Sequence, residues 1–317
     1  MAIAKYIKEI GRGAAGARSL SQDAAADLMQ QVLAGTVSDL EIGAFALAMR
    51  IKGETVDELL GFAQATHATC LSLPSDRPVV VIPSYNGARR LPNLTPLLAM
   101  RLAQEGARVL VHGPRHDPTR VTSAQIFEAL GLPPVDSAAA VQERWARQQP
   151  AFITTETLSP ALQRLLDVRW VVGLRNSGHT IAKLLGPCRT GASLRVVNYT
   201  HPEYATLQSQ FLAHIGANAM LLRVTEGEPV ADPRRAPKLV VFVGGALDPA
   251  LSRVAQDGVL TELPLLPRSC DAATTALYIQ SVVSGEKPAP GPLVQQVDCL
   301  VRALAAIDHM TPQERSA

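Results

Sequence analysis

At 317 residues the chain is long enough to bury a sizeable core, either as one two-part body or as two modest domains. Hydrophobic residues make up 47%, charged residues 18% and aromatics 4%, a balance that argues against a disordered chain and suits a packed α/β globule. The formal net charge of +2 is too small to signal nucleic-acid binding by its sum, so the placement of the charges must decide. Cys70, Cys188, Cys270 and Cys299 are far apart with no C-x-x-C spacing, which speaks against a zinc site or a disulfide framework and fits a reducing compartment. No apolar run approaches the roughly 20 residues that span a bilayer. Lys5, Lys8 and Glu9 lie where a signal peptide would be apolar, so the expected location is cytoplasmic, with no membrane partner.

The first 70 or so residues read as helices. Ile3, Tyr6, Ile7 and Ile10 share a helical face, and Gly11 and Gly13 end that segment. Ser21 can cap a helix through Val32 that Gly35 closes, Ser38 or Asp39 begins another through about Arg50, and Thr55 or Asp57 opens a fourth. Phe45, Leu47 and Met49 on the third of these can serve either the core or an interface.

After the linker Leu73-Pro74-Ser75-Asp76-Arg77-Pro78 the texture changes. Val79 to Ile82, Arg108 to Val111, Leu194 to Tyr199, Ala219 to Val224 and Leu239 to Val243 read as buried strands, and Asn93 to Gln104, Ser123 to Leu130 and Pro202 to Ile215 as helices. Strands separated by helices predict a mainly parallel central sheet flanked by helices, behind an all-α N-terminal domain. The expected division is a helical domain over 1–73 and an α/β domain over 78–317, with residues near 160–188 packing back on the helices. Glu286 to Pro292, rich in proline and glycine, reads as a surface connection. In such sheets ligands sit beyond the carboxyl ends of the strands, which directs attention to the loops Pro83 to Pro92, His112 to Arg120, Thr200 to His201 and Thr225 to Asp232.

The stretch from Ser38 to Gly61, especially Arg50-Ile51-Lys52-Gly53-Glu54-Thr55, resembles the helical domain of the anthranilate phosphoribosyltransferases. Asn93-Leu94-Thr95 is similar to that family's Asn-Ile-Ser/Thr element, and Val111-His112-Gly113-Pro114-Arg115 to its Lys-His-Gly-Asn-Arg element. Glu128-Ala129-Leu130-Gly131 and Leu184-Leu185-Gly186-Pro187 match later elements in the same order. The resemblance implies the family's fold, with homodimerisation through the N-terminal helices. It also implies phosphoribosyl transfer from a ribose diphosphate donor with magnesium.

That chemistry needs backbone N–H groups close to a diphosphate and carboxylates holding metal. Where the family has Gly-Thr-Gly-Gly-Asp-Gly, this chain has Pro83-Ser84-Tyr85-Asn86-Gly87-Ala88. Pro83 has no N–H to offer, and the Tyr85 ring needs space that a diphosphate would occupy. The family's phosphate-binding lysine is Val111, and its Asp-Glu metal pair is reduced to Glu226 and Glu228, which can share a cation if the segment is extended, although a solvated loop is the favoured reading. No cofactor is therefore expected, with magnesium reserved for the case in which transfer survives.

Positive charge takes the place of the lost elements. Arg89 and Arg90 leave the first strand of the sheet and Arg115, His116 and Arg120 the second, while Arg175, His179 and Lys183 lie near the Leu-Gly-Pro element. All are expected to edge one cleft, with Ser84, Tyr85, Asn86, Gly87, Asn93, Thr95, His112 and His179 lining it. The Ser-Tyr-Asn-Gly-Ala-Arg loop together with Arg175-Asn176-Ser177-Gly178-His179-Thr180 resembles the YbiB-type branch of the family. That resemblance implies a homodimer that binds nucleic acid in a basic groove without the biosynthetic activity. Single strands are favoured, with little sequence preference, through phosphate contacts at Arg89, Arg90, Arg115, Arg120, Arg175 and Lys183. Tyr85 is a candidate stacking face. Plainer readings stand beside these: Arg89-Arg90 as a solvated turn, Arg169 and Arg175 paired with carboxylates, and His112 and His179 as ordinary hydrogen-bonded histidines. For His201-Pro202, capping or packing is favoured over catalysis, and Arg234, Arg235 and Lys238 fit a solvated loop. An active transferase with an altered donor or acceptor, using Asn93, Thr95, His112, Arg115 and Arg175, is the alternative function.

Overall fold

The computed structural model describes residues 3–13, 15–188 and 193–308. In chain order it contains α1 (Ala4–Ile10), α2 (Gln22–Ala34), α3 (Asp39–Lys52), α4 (Val56–His67), β1 (Val79–Pro83), α5 (Thr95–Gln104), β2 (Arg108–Gly113), α6 (Ser123–Ala129), α7 (Ala138–Ala146) and β3 (Ala151–Thr154). There follow α8 (Thr155–Leu158), α9 (Pro160–Val172), α10 (Ser177–Ala182), β4 (Ser193–Tyr199), α11 (Glu203–His214), β5 (Asn218–Arg223), β6 (Leu239–Val243), β7 (Ala246–Arg253), α12 (Ala272–Val283) and α13 (Gly291–Asp308). The chain forms two compact units: one joins the N-terminal part through Leu71 to Thr155–Leu185, the other joins Ser72–Thr154 to the chain from Gly186 onward.

The smaller unit is all helical. Ser21, Ser38 and Thr55 each accept a backbone N–H at the start of α2, α3 and α4, the positions where unsatisfied helix donors need a side-chain oxygen. Glu58 completes the Thr55 capping box and also meets Lys52 Nζ at 2.7 Å, with the carboxylate fully buried. Phe45 and Phe62 pack edge to face at the centre of the unit, 5.9 Å between ring centroids. Of the three α3 residues open to either role, Phe45 and Met49 are buried, whereas Leu47 is 45% exposed.

The larger unit holds one seven-stranded sheet in the order β3-β2-β1-β4-β5-β6-β7. It is parallel from β3 through β5 and antiparallel at β6 and β7, as the mainly parallel reading requires. The apolar run Val79 to Ile82 explains why β1 lies inside the sheet, with a strand on either side. Val80 and Ile82 join the main core with Leu98, Val111 and Phe127, and Val79 and Val81, pointing the other way, are equally buried. Strands β3 and β7 have no counterpart among the expected elements, α5 starts at Thr95 instead of Asn93, and the connection from Glu286 ends where α13 begins at Gly291.

β1 pairs with β2 on one side and β4 on the other, so the direction of winding reverses there. A crevice opens at the carboxyl ends of strands where this happens. The loops leaving β1, β2 and β5 meet at that end of the larger unit, beside the last residues of β4.

Candidate functional site

The loop after β1 is held from within by two carboxylates that follow β5. Glu228 Oε1 accepts the backbone N–H groups of Asn86 at 2.7 Å and Gly87 at 2.6 Å. Its Oε2 accepts the hydroxyls of Ser84 and Thr95, the latter at 3.0 Å. Ser84 Oγ also meets Ser123 Oγ at 2.6 Å, and Ser123 Oγ accepts from Asn93 Nδ2 at 2.9 Å. Asn93 Oδ1 in turn takes the Thr95 N–H at 3.0 Å. One buried carboxylate thus joins four segments of the larger unit, and its oxygens are met by hydrogen-bond donors as burial demands.

Glu226 repeats the arrangement one step outward. Its carboxylate accepts the backbone N–H groups of Arg89 at 3.0 Å, Arg90 at 2.9 and 3.1 Å, and Leu91 at 3.2 Å. Gly227, between the two glutamates, has φ of +83°, and a Cβ there would lie 1.6 Å from Asn86 Nδ2. Only glycine lets both carboxylates reach the loop. Asn198, near the end of β4, fixes the same turn by donating from Nδ2 to the Gly227 carbonyl at 2.7 Å. On the opposite side Ala88 and Val121 exchange backbone bonds of 2.7 and 3.1 Å, and Arg120 donates to the Asn86 carbonyl at 3.2 Å.

Tyr85 and His112 form a buried pair. The Tyr85 hydroxyl lies 2.9 Å from His112 Nδ1, and the rings meet nearly edge on. Burial pushes the His112 pKa down to about 3, so the imidazole is neutral, and its Nε2 has no hydrogen-bond partner among the described residues. Tyr85 is only 4% exposed, which corrects the expectation that its ring offers a stacking face.

The structure therefore brings Ser84, Tyr85, Asn86, Gly87, Asn93, Thr95 and His112 together with Glu226 and Glu228 in the larger unit. Among the expected phosphate contacts, Arg89 and Arg90 are exposed, and neither is paired with a carboxylate among the described residues. Arg115 is exposed but tied to Glu128 at 3.1 Å, and Arg120 is partly turned to loop support. Arg175, His179 and Lys183 belong to the smaller unit. There His179 completes a capping box, accepting the Asn176 N–H at Nδ1. Burial, with Arg175 and Arg169 nearby, lowers its pKa to about 3. Ser123, Asn198 and Gly227 carry no signal in the sequence, because each acts through a partner remote in the chain.

The two glutamates do not fit a divalent cation. Such an ion needs about six oxygen ligands, whereas these oxygens already accept backbone N–H groups and, at Glu228 Oε2, two hydroxyls, donors whose positive ends oppose a cation. Among the described residues no group of three or more His, Cys, Asp or Glu side chains is placed to hold a metal.

Comparison with known proteins fits this scaffold. Residues 4–70 match the family described as glycosyl transferase family, helical bundle domain. The chain is 42% identical over 301 residues to uncharacterized protein YbiB of Escherichia coli (strain K12), covering 94% of this chain and 93% of that protein. It belongs to the anthranilate phosphoribosyltransferase-like glycosyltransferase family, in the YbiB-type branch. The biosynthetic members stand further off. The anthranilate phosphoribosyltransferase of Deinococcus radiodurans is 29% identical over 213 residues, 66% of this chain and 62% of the relative. The crystal structure of the Thermus thermophilus anthranilate phosphoribosyltransferase superposes with a TM-score of 0.70 at 23% identity, covering 99% of this chain and 91% of that one. At that identity the likeness establishes the family fold. No helix among the described residues is long and apolar enough to cross a membrane.

Proposed function

We propose that this YbiB-type protein binds single-stranded nucleic acid through its phosphates, as a homodimer and with little sequence preference, and that biosynthetic transfer has been lost. One observation carries the reading. The backbone amides of the β1 loop, at the place where the family resemblance implies a donor diphosphate, are already taken by the buried Glu228 carboxylate, while Arg89 and Arg90 beside them are exposed and have no carboxylate partner among the described residues. A fixed negative charge at those amides opposes a diphosphate. Guanidinium groups without a carboxylate partner at the rim suit a polyanion whose affinity comes from counterion release.

The test is binding of short single-stranded oligonucleotides across a salt series. The wild type is expected to lose affinity steeply as salt rises. Replacing Arg89 and Arg90 with Ala should flatten the log–log slope by about 0.7 for each phosphate that is no longer neutralised. Absence of binding at low salt ends the proposal. The competing reading, a transferase with an altered donor or acceptor, draws on Asn93, Thr95, His112 and Arg115 and on the unsatisfied His112 Nε2. Calorimetric titration with phosphoribosyl diphosphate and magnesium separates the two, since micromolar binding contradicts a closed loop.

The homodimer is supported by Leu40, Leu47 and Ile51, which are 84%, 45% and 65% exposed at helical spacing on α3. A second copy of the same helix is the occupant that family membership suggests for this apolar stripe.

A further inference from the structure

Two carboxylates occupy the β1 loop, and they are not equivalent. Glu228 is 5% exposed and held by four donors, two of them side-chain hydroxyls from different elements. Glu226 is half-buried, accepts the backbone amides of Arg89, Arg90 and Leu91, and faces a cavity lined also by Leu91, Thr225, Val230 and Asp232. This amide row lies beyond Pro83 to Ala88, the stretch that corresponds to the family's glycine loop.

Three consecutive N–H groups converging on one anion form a cradle of the kind that backbone nests offer to oxyanions. The Glu226 carboxylate oxygens stand in for two oxygens of such an anion. A carboxylate has no further oxygen for the guanidinium groups of Arg89 and Arg90, whose own backbone amides build the cradle and whose side chains are exposed with no carboxylate partner among the described residues. A phosphate has, and planar guanidinium forks match it well. We propose that the amide row Arg89–Leu91 is a seat for one phosphate group, kept filled by Glu226 until a phosphate-bearing ligand displaces it. Glu226 is then a built-in competitor that lowers affinity for every phosphate ligand, because a tethered carboxylate acts at high effective concentration. This deepens the phosphate-binding reading above, on which only its oligonucleotide arm rests.

The experiment titrates the full-length protein with inorganic pyrophosphate, and separately with a short single-stranded oligonucleotide lacking a terminal phosphate. It compares wild type, Glu226→Ala and Glu128→Gln. The last removes one negative charge beside Arg115 without touching the amide row. Glu226→Ala is expected to bind pyrophosphate at least about tenfold more tightly than wild type, with Glu128→Gln within about twofold of it. A parallel gain for the oligonucleotide means that internal phosphodiesters use the seat, and a gain for pyrophosphate alone assigns it to free or terminal phosphate. Equal behaviour of Glu226→Ala and Glu128→Gln overturns the inference. If Glu226→Ala does not fold, the amide resonances of wild-type Arg89, Arg90 and Leu91 decide. They shift during pyrophosphate titration while those of Asn86 and Gly87 stay, or the seat does not exist. Oligonucleotide binding that is unchanged in Glu226→Ala, with no gain for pyrophosphate, removes this inference and leaves the proposed function standing. A pyrophosphate gain without any oligonucleotide binding does the reverse.

Discussion

The backbone N–H of Gly87 lies 2.6 Å from Glu228 Oε1, a bond between residues 141 apart in the chain. Gly87 itself sits at φ of +68° with the Val121 carbonyl 2.8 Å from where a Cβ would stand, so the loop has little freedom to find another donor geometry. Replacing Glu228 with Ala strands two amides and two hydroxyls in a buried site. The expected cost is about 4 kcal/mol, from several unsatisfied donors together. Urea unfolding of the variant measures it, and a loss below about 1 kcal/mol would show that water replaces the carboxylate.

Tyr85 and Glu228 make separable contributions to the closed loop. Tyr85→Phe removes the partner of His112 Nδ1 and should destabilise by about 1 to 2 kcal/mol. Tyr85→Gly opens space without releasing the amides of Asn86 and Gly87. Calorimetry with phosphoribosyl diphosphate and magnesium is therefore expected to stay flat for this variant. Recovery of micromolar binding would mean that the ring, and not the carboxylate, closes the site.

Acid should weaken the fold through its neutral histidines. His112 is lowered from 6.5 to about 3 by burial. Between those values the unfolded chain takes up a proton that the folded chain refuses, so this contribution is complete above about pH 6.5 and is lost as pH falls toward 3. At pH 5 the loss is about 2 kcal/mol for each such histidine, and His179 shifts in the same direction. Thermal unfolding from pH 7 to 5 should show a falling Tm in the wild type and a shallower fall in His112→Asn. Parallel curves would refute the assignment.

Arg115 should matter less to polyanion binding than Arg89. Its guanidinium is paired with Glu128 on the surface, and half-exposed pairs of this kind are worth little but do hold a side chain in place. In the oligonucleotide titration, Arg115→Ala is expected to reduce affinity less than Arg89→Ala, and Glu128→Gln to raise it slightly. The opposite ranking would move the binding surface toward the loop after β2.

Charge on the α3 stripe should split the proposed dimer. Leu40→Glu with Ile51→Glu places carboxylates at two exposed positions, so folding is spared while an apolar interface is not. Light scattering should then report a monomer where the wild type is a dimer. A monomeric wild type would remove the dimer from the proposal.

Helix starts and central strands are legible in the sequence because their causes are local. Ser38 and Thr55 sit three residues before the glutamates that complete their capping boxes, and Val79 to Ile82 is an uninterrupted apolar run. β3 escapes such a reading because it has only four residues. β7 escapes it because it carries Asp248 and Pro249, and such residues are tolerated on an edge strand but read as a turn. Family likeness names the loop residues, yet it does not give their state. The Tyr85 ring, expected to face a ligand, lies against His112, and Glu226 and Glu228, candidates for a cation, accept amides instead. No local pattern announces a bond from residue 228 to residue 87.

Glu228 also bears on the order in which the protein is made. The carboxylate that closes the Asn86 and Gly87 amides is encoded 142 and 141 residues after them. At roughly 5 to 20 residues per second of synthesis, the nascent chain carries that loop for several seconds or longer before its clasp leaves the ribosome. During that interval the stretch is open to any anion in its surroundings.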